Sequence, residues 1–384
     1  MSVRLSVVFA VAVCACAQSV DAGPAPPVDG AAVPPNVDGP ADAGALVEGG
    51  DEGLPPPRTC SNDGLCHTAL PNAEKLEGVW GDGTGIAWAV STGGSVLRWD
   101  GLAWTVHAVG LGPLHAIWGS GPLDVWIAGD EGVRHGTGAA SASLVFGPPS
   151  ALPEGAAPPI TSLWGLSASD VWAVSAGHVL CWKGTAWATV DVASGVSFRR
   201  VWGSAAAGVF VAALRPVEGE SFEEAVVLRR GPGAPTFTTI ALPTDPNDTS
   251  VFSKIGSIKG AVVTSPTSVW LFGRSVSSVP GIWRGTSTDE GKTFTFTYAR
   301  DGRHDDPEMT AAAGVSASEA WAVGDYGRVR RWDGREWSPV AVTPGKLPVT
   351  EALRAVWTAG ASETWFVGDG LALRHDPSKK GAAQ

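Results

Sequence analysis

The stretch Leu163–Val174, LWGLSASDVWAV, places Trp164 and Trp172 eight residues apart on either side of a small polar turn. The chain has 384 residues, with 18 Trp against only two Tyr. The same eight-residue step returns seven times, in units that start 38 to 60 residues apart. A packing position has reason to recur in register along a chain, whereas a ligand platform has none, so we predict that these residues form a core. The pairs are Trp80/Trp88, Trp118/Trp126, Trp164/Trp172, Trp202/Phe210, Val262/Trp270, Ala313/Trp321 and Trp357/Trp365.

Each unit is predicted to form four short strands. The first is exemplified by Leu353–Trp357, the second by Val171–Val174 and the third by Val96–Trp99, and the fourth begins at a further aromatic such as Trp104. Trp283 is assigned to the third-strand aromatic position of its unit. The second strand is apolar throughout, so both of its faces should be buried. A four-stranded sheet covered on both faces and repeated at this period is typical of a β-propeller blade.

The two ends of the chain predict how the ring closes. The seventh unit lacks a fourth strand after Leu371–His375, and residues around 65–71 have the spacing to supply it, with Cys66 in the fourth aromatic position. We therefore predict an all-β, seven-bladed β-propeller of four-stranded antiparallel blades, closed by an N-terminal strand, over residues 59–384. Closure from both ends leaves no open sheet edge. The alternative, two packed sandwiches, would not explain the spacing at the N-terminal end.

The first residues have the pattern of an export signal. Arg4 precedes an apolar run, Leu5–Val13, that is followed by small residues and cysteines. The segment Val13–Cys16 resembles a bacterial lipobox, which implies a signal peptide over residues 1–15 and diacylation of the Cys16 thiol. Cys14 as the acceptor, or an ordinary secretory signal without lipid, is the alternative. The expected location is outside the cytoplasm, lipid-anchored at the bacterial outer membrane, periplasm or cell surface, or otherwise secreted.

Residues 16–58 are predicted to be a disordered tether rich in Pro, Gly, Ala and Asp. This segment has no aromatic residue and carries seven acidic residues, out of a net charge of −11 for the chain. The folded part is therefore nearly neutral and offers no basic surface typical of nucleic-acid binding. The acids in the tether lack EF-hand spacing, so calcium is at most a weak alternative and no cofactor is predicted.

Three cysteines remain beyond the leader. Cys60 and Cys66 bracket a short turn-rich loop, which an oxidising compartment would close as a disulfide. A metal site is the alternative, but the pair has no nearby His or Cys partner. Cys181 lies in the third strand of its unit and is predicted to be a buried free thiol.

The repeat resembles that of secreted bacterial lipoproteins built from V-W-G, D-V-W-A-V-G and R-W-D-G-x-x-W segments and preceded by a Cys-bearing segment and a P-L-P-like stretch, here Ala69–Pro71. The resemblance covers about residues 60–376 and implies a propeller without a defined activity. Ser287–Phe294, STDEGKTF, also resembles an Asp-box (BNR-type) hairpin. In that motif Ser and Asp bind turn amides, Gly291 would take a positive φ and Phe294 would enter the blade, remote from any active site.

We identify no catalytic constellation. Sialidase-like hydrolysis would need a tyrosine nucleophile, and only Tyr298 and Tyr326 exist. Two sets of acids recur at fixed places in the units and are interpreted as turn chemistry rather than as glycosidase carboxylates. They are Asp170, Glu319 and Glu363 before the second strand, and Asp130, Asp325 and Asp369 after it.

Four long polar segments interrupt the repeat in units four and five: 215–224, 243–248, 274–280 and 300–308. In a propeller they should emerge on one face, where varied loops on a repeated scaffold tend to bind partners. An alternative is that these loops have simply drifted in length. The candidate binding residues are Arg215, Glu218, Glu220, Asp245, Asp248, Arg303, His304, Asp305 and Asp306.

The sequence thus favours an envelope-tethered, non-catalytic recognition module for a glycan or an envelope protein, held at the membrane only by its lipid. A structural or assembly factor of the envelope is the first alternative, and a sialidase-like glycoside hydrolase is the second. We expect a monomer.

Overall fold

The computed structural model of the protein describes residues 60–303, 305–344, 347–360 and 362–380. Within these residues, 28 strands form seven antiparallel sheets of four strands each. The first strand of each sheet contacts that of the next sheet, and the seventh contacts the first, so the sheets close into a ring. The protein is a seven-bladed β-propeller, and the sandwich alternative is wrong.

The strands follow chain order within six blades, and in blade seven the outer strand is β1. Blades one to three contain β2 (Leu76–Gly81), β3 (Ala87–Ser91), β4 (Val96–Trp99), β5 (Trp104–Ala108), β6 (Leu114–Gly121), β7 (Asp124–Gly129), β8 (Gly132–Thr137), β9 (Val145–Phe146), β10 (Ile160–Ser167), β11 (Asp170–Ser175), β12 (Val179–Trp182) and β13 (Trp187–Val190). Blades four and five contain β14 (Ser197–Ser204), β15 (Gly208–Pro216), β16 (Glu223–Arg230), β17 (Thr238–Ile240), β18 (Ile255–Ser265), β19 (Ser268–Ser275), β20 (Pro280–Thr286) and β21 (Thr295–Arg300). Blade six contains β22 (Met309–Ser316), β23 (Glu319–Gly324), β24 (Val329–Trp332) and β25 (Trp337–Val340). Blade seven contains β26 (Leu353–Gly360), β27 (Glu363–Gly368), β28 (Leu371–His375) and β1 (Leu65–His67). Short 3-10 turns lie at Ser141–Ser143, Val251–Ser253 and Pro377–Lys379.

The eight-residue step places the two members of every pair opposite each other on the first and second strands of a blade. Trp164 faces Trp172 across β10 and β11, and the other six pairs have the same register. Trp172 is fully buried and Trp164 is half-buried. Both pack in the core, as the recurrence predicts.

The core is divided into seven apolar clusters, each lying at the seam between two neighbouring blades. At each seam, the second-strand aromatic of one blade lies in the same cluster as the apolar residue that opens the outer strand of the next. The ring centroids of Trp126 and Trp187 are 5.7 Å apart, and those of Trp365 and Trp104 are 5.2 Å apart. The aromatic residues therefore hold the blades to one another rather than filling a single central core.

The glycine that follows the first-strand tryptophan is required because a side chain at that position would collide with the preceding blade. A Cβ built on Gly165 would lie 2.7 Å from the ring of Trp118 in the preceding blade, closer than real Cβ contacts. Gly119 has the same relation to Trp80, with a closest ring distance of 2.7 Å. The V-W-G pattern thus contains a tryptophan and a glycine. The glycine leaves room for the first-strand tryptophan of the preceding blade.

Two aromatic positions differ from the sequence prediction by one or two residues. Trp283 faces Leu271 across β19 and β20, two residues before the third-strand aromatic position, which is occupied by Gly285. In blade seven, Leu65 rather than Cys66 faces His375, in the way that Trp104 faces Trp99 in blade one. Leu65 is therefore the residue in the fourth aromatic position, and it is fully buried.

The N-terminal strand closes the ring as predicted. Strand β1 pairs with β28, and Cys60 and Cys66 next to it form a disulfide, so the metal alternative for this pair is wrong. Cys181 is a buried free thiol. No helix in the described part of the chain is long and apolar enough to cross a membrane. The predicted leader, the lipidation at Cys16 and the tether of residues 16–58 lie outside the described residues.

Replacing Leu65 by Ala should weaken the closure of the ring. The side chain is fully buried against blades six and seven, so its loss is expected to lower the free energy of unfolding by about 2–5 kcal/mol. Urea unfolding followed by tryptophan fluorescence measures this. Leu102→Ala, at an 89% exposed position, is the matched control and should change stability by about 0.5 kcal/mol at most. Equal effects of the two substitutions would contradict closure by β1.

The Cys181 thiol should be inert in the native protein. Burial raises its pKa to about 11, so almost no thiolate exists at neutral pH, and the side chain is 1% exposed. A maleimide should label it only in denaturant. Ser169→Cys in a Cys181→Ser background places a thiol at an exposed turn and should be labelled at once. Rapid native labelling of Cys181 would show that this blade is not packed as described.

Candidate functional site

The four long segments of blades four and five lie on the same face of the propeller. Strands alternate in direction within a blade, so second-to-third-strand loops and blade-to-blade connections leave at one face, which we call the loop face. The rings of Phe222 and Phe252 are 5.7 Å apart, and the Arg274 guanidinium donates to the Asp306 carbonyl. We call segments 215–224, 243–254, 274–280 and 300–308 together the loop sector; it extends the predicted segment 243–248 to Lys254, which contacts the first segment through Glu224.

The first segment is mostly not a loop. Arg215 faces Glu224 in a register that continues β15 and β16, so the two strands project beyond the blade as a hairpin. Only residues 217–222 form the turn, and Glu218 and Glu220 lie exposed in it. The predicted ten-residue insertion is therefore partly strand, because Arg215 and Pro216 pair with Glu224 and Glu223.

Glu224 joins this hairpin to the next blade. Its carboxylate accepts hydrogen bonds from Arg215 at 2.6 Å and from the Lys254 ammonium at 2.6 Å. Burial raises the pKa of Glu224, but these bonds outweigh it and hold that pKa below its usual value. Arg215 is thus engaged in an ion pair that fixes the hairpin rather than free for a ligand.

Asp245 and Asp248 stabilise the turns of their own segment. Asp245 accepts from the Asn247 amide and Asp248 from the Ser250 amide, each at 2.9 Å. Both also line a cavity of about 110 Å³ together with Tyr298. The cavity is small, so it offers a polar edge of the loop sector rather than an enclosed site for a sugar ring. Its other lining residues are Thr244, Asn247, Ser253, Ser275, Val279, Trp283 and Arg300.

The acidic loop predicted around Arg303–Asp306 is organised by its own backbone. Asp306 accepts from the Arg303 amide at 2.7 Å, and Asp305 is exposed. His304 lies outside the described residues. Among the residues that the structure describes, no group of three or more His, Cys, Asp or Glu side chains is arranged to hold a metal ion.

Two acids flanking that loop, which the sequence did not single out, are its main anchors. Glu308 is 4% exposed and binds the Ser257 hydroxyl at 2.7 Å and the Lys259 ammonium at 3.2 Å. Asp301 is 5% exposed and pairs with Arg328 and Arg330. A carboxylate removed from water needs such partners, so these pairs fix the exit of blade five against blade six.

Two acids at the start of the second strands bind core groups rather than turn amides. Asp170 accepts from the Trp172 indole N–H at 2.9 Å and lies 3.4 Å from the Lys183 ammonium. Asp124, at the same place in blade two, accepts from Trp126 at 3.0 Å and from His135 at 2.7 Å. The interpretation as turn chemistry therefore does not hold for Asp170, whereas Glu363 does accept from the Gly85 amide in a turn of blade one, at 3.2 Å.

The second set of acids also has different partners from those expected. Asp130 binds the His115 ring at 2.7 Å, and Asp369 binds Arg354 at 2.6 and 2.9 Å. His115 and Arg354 are bulged residues near the start of the first strands of their blades. These acids therefore tie a first-strand side chain to the following loop.

A cation stacks on most of the second-strand aromatics, which the sequence did not predict. The residue opposite each aromatic on the third strand is Arg in five blades, and His135 in blade two stacks on Trp126 at 4.0 Å. In blade three that position is Cys181, and Arg230 of blade four covers Trp172 at 4.6 Å instead. The Arg contacts add cation–π attraction in six of the seven blades, and blade two has the stacked His135 ring instead.

The two tyrosines are not arranged as nucleophiles. Tyr326 is 73% exposed in a tight turn at φ +56°. Burial raises the pKa of Tyr298 most, and the nearby Asp245 carboxylate raises it further, so the hydroxyl stays protonated. An activated nucleophile would require the opposite shift.

Residues Ser287–Phe294 form a compact hairpin between β20 and β21. Ser287 Oγ accepts from the Gly291 amide at 2.8 Å, and Asp289 accepts from the Thr293 amide at 2.9 Å. Gly291 has φ +84°, where a side chain would be strained. Arg229 of blade four donates to the Lys292 carbonyl at 2.7 Å and stacks on Phe294 at 4.9 Å. The hairpin therefore has the geometry expected of it and a structural role.

Comparison with known proteins gives the fold but no family. No family model matches the chain, and no curated protein matches it. Solved structures of similar fold include YCF48 from Cyanidioschyzon merolae, with a TM-score of 0.59, 16% identity, and coverage of 82% of this chain and 99% of that one. A YCF48 structure with a bound D1 peptide has a TM-score of 0.58 and 14% identity, over 83% of this chain and 99% of that one.

PorZ of Porphyromonas gingivalis, an essential bacterial surface component of the type-IX secretion system, is also similar. Its TM-score is 0.57 at 13% identity, over 80% of this chain and 47% of that one. At such identities the likeness concerns the propeller alone. The resemblance to the lipoprotein repeat family and to the Asp-box therefore stays a prediction.

Replacing Asp124 by Asn should cost about 1–2 kcal/mol at neutral pH, because a carboxylate bonded to His135 and Trp126 is lost. Burial raises the pKa of Asp124, but hydrogen bonds from His135 and Ser120 outweigh it, so that pKa lies below 3.8. Such a carboxylate stabilises the fold above its unfolded pKa, and this stability is lost as pH falls through the folded value.

The measurement is the urea midpoint from pH 6 down to pH 3. The wild type should lose stability below about pH 4 more steeply than Asp124→Asn does. Asp130→Asn, which removes an exposed partner of His115, is the control and should cost less than about 1 kcal/mol. Parallel pH profiles for wild type and Asp124→Asn would contradict this account.

Proposed function

We propose that this protein is an exported, envelope-tethered recognition module that binds a partner through the loop sector and performs no catalysis. The observation that carries the proposal is that four neighbouring segments of blades four and five, at the loop face, are braced against one another by ion pairs and ring contacts. All seven seams follow one packing rule, whereas the connections over this sector depart from the repeat and are braced against one another. Loops that vary on a rigid repeated scaffold are the usual place for binding.

The bracing supports a preformed surface. Glu224, Glu308 and Asp301 each hold two cationic side chains, and each pair joins two segments or two blades. Segments fixed in this way lose little conformational entropy when a partner binds, which favours affinity. The exposed acids Glu218, Glu220 and Asp305 then point to a partner surface with polar or basic character.

A peptide or protein is the better-supported partner class. YCF48, a propeller of the same overall size, has been solved with a bound D1 peptide. The cavity beside Asp245 and Asp248 is too small to enclose a sugar ring, although a glycan lying across the surface remains the second ligand class. Tethering through Cys16 would place the loop sector within reach of envelope proteins.

A structural role in an envelope assembly is the second candidate. It is favoured by the similarity to PorZ, a surface component of a secretion system. Such a role would use the same sector but would hold a permanent partner.

The test combines a glycan array with crosslinking in native envelopes, both on the full chain and with calcium present. We replace the turn of residues 217–222 by Asn-Gly, which closes a two-residue hairpin and should leave the unfolding temperature unchanged within a few degrees. The expected result is a saturable ligand or a discrete crosslinked partner whose signal falls at least about fivefold in this variant. The control is Arg335→Ala/Glu336→Ala in an exposed turn of the opposite face.

Binding that is equal in both variants would place the interaction elsewhere. Turnover of a glycoside that is abolished by substituting an acid of the loop sector would replace the proposal with the hydrolase alternative. A partner that co-purifies in fixed stoichiometry would favour the structural role.

A further inference from the structure

One position on the first strand of every blade is reserved for a small residue, with a single exception. The position follows a bulge and faces the second-strand residue that comes two places after the second-strand aromatic. In six blades it is Gly, Ala or Ser, and in blade four it is Arg200. The small residues are Gly78, Ala116, Ser162, Gly260, Ala311 and Ala355.

Packing against the next blade explains the small residues. A Cβ on Gly78 would lie 3.0 Å from the Ile117 side chain of blade two. Ser162 fits because its hydroxyl bonds the Val201 backbone of blade four, accepting from the amide at 3.1 Å. An arginine at this position requires space that the other seams do not have.

Blade four provides that space. Arg200 faces Ala212 on the second strand, where Val or Phe stands in five of the other six blades. A cavity of about 270 Å³ lies at the seam between blades four and five. Its lining includes Arg199, the bulged residue before Arg200, and Lys259, the bulged residue of β18. The other lining residues are Ala212, Ala213, Leu214, Ala225, Ser257 and Ile258.

The positive charge of this cavity is only partly balanced by a neighbouring carboxylate. Lys259 pairs with Glu308, but in the described part of the chain the side chains of Arg199 and Arg200 make no ion pair or hydrogen bond. Burial lowers the pKa of Arg200, while the more distant carboxylates of Glu308 and Glu77 act in the opposite direction. A guanidinium remains charged in such surroundings and retains its capacity for a bidentate anion.

We propose that this cavity binds a carboxylate carried on a compact apolar group, such as the carboxyl terminus of a peptide that ends in a small aliphatic residue. The inference rests on the proposed function, because it names the ligand class for the inner edge of the same face. Arg199 and Arg200 would hold the carboxylate, and Ala213, Leu214 and Ile258 would cover the aliphatic part.

The lining favours this ligand over an acidic sugar. Besides the three cations, the only polar side chain in the wall is the Ser257 hydroxyl, and it already donates to Glu308 at 2.7 Å. Sugar hydroxyls buried there would find donors in the cations but no free acceptor for their own protons in the lining, at a cost for each. An aliphatic side chain carries no such penalty and gains from burial.

The test is calorimetric titration of the full chain with N-acetyl-alanyl-leucine, its C-terminal amide and glucuronate. The free acid should bind, and the amide and glucuronate should bind at least about tenfold more weakly, since each lacks one half of the recognised group. Arg200→Met keeps the bulk of the side chain without the charge and should weaken the free acid at least about tenfold. Higher salt should weaken binding to the wild type only.

Arg335→Met, at an exposed turn on the opposite face, is the matched control and should bind as the wild type does. Equal binding of acid and amide, an unchanged affinity in Arg200→Met, or tighter binding of glucuronate would each overturn the inference. Absence of binding by the folded wild type would do so as well. Crosslinking distinguishes this inference from the proposed function. If a crosslinked partner is lost in the 217–222 variant but kept in Arg200→Met, the proposed function is supported and this ligand class is excluded.

Discussion

The contact between the second-strand aromatic of one blade and the residue that opens the outer strand of the next is the interaction on which this ring depends. Each sheet presents two apolar faces, and neither is covered unless both neighbours are in place. A fully buried tryptophan contributes roughly 4–5 kcal/mol by its area alone. Because the seams form a closed circle, losing one exposes two sheets, which is why Leu65 is recruited from the N-terminal end to complete the seventh.

The same contact decides what the recurring polar residues can do. The third-strand arginines lie over the aromatic rings, and Asp124 and Asp170 bind indole N–H groups and third-strand side chains. Acids that recur with the repeat therefore bind groups of the core, although their spacing resembles that of functional carboxylates. Recognition is therefore expected where the repeat is broken, and the segments of blades four and five are breaks that are braced against one another.

The sequence predicted the features of the structure that a residue pattern records, and missed the others. The step from Trp164 to Trp172 specifies a strand, a turn and a facing strand, so the blades, their number and the closure followed directly. A β-bulge adds one residue without changing the apolar pattern, so the bulges at Arg199 and Lys259 were not foreseen. The offset of Trp283 was missed because two residues along a strand keep a side chain on the same face. The anchors Asp301 and Glu308 were missed because their partners lie in other blades, and no local pattern carries that information.

The departure at Arg200 is best understood through the redundancy of the seams. The seam between blades four and five has its own large apolar cluster, which includes Phe210, Ile258 and Phe296, so it can contain one cavity while the closed ring holds it from both sides. Blade four has Arg200 where the others have a small residue, and Ala212 where most have a larger one, so that seam exchanges apolar contact for a charged cavity. Such an exchange reduces stability, and a local loss of this kind is expected where a surface is shaped for binding rather than for packing. The position of the cavity beside the braced loops makes the two departures from the repeat one continuous surface.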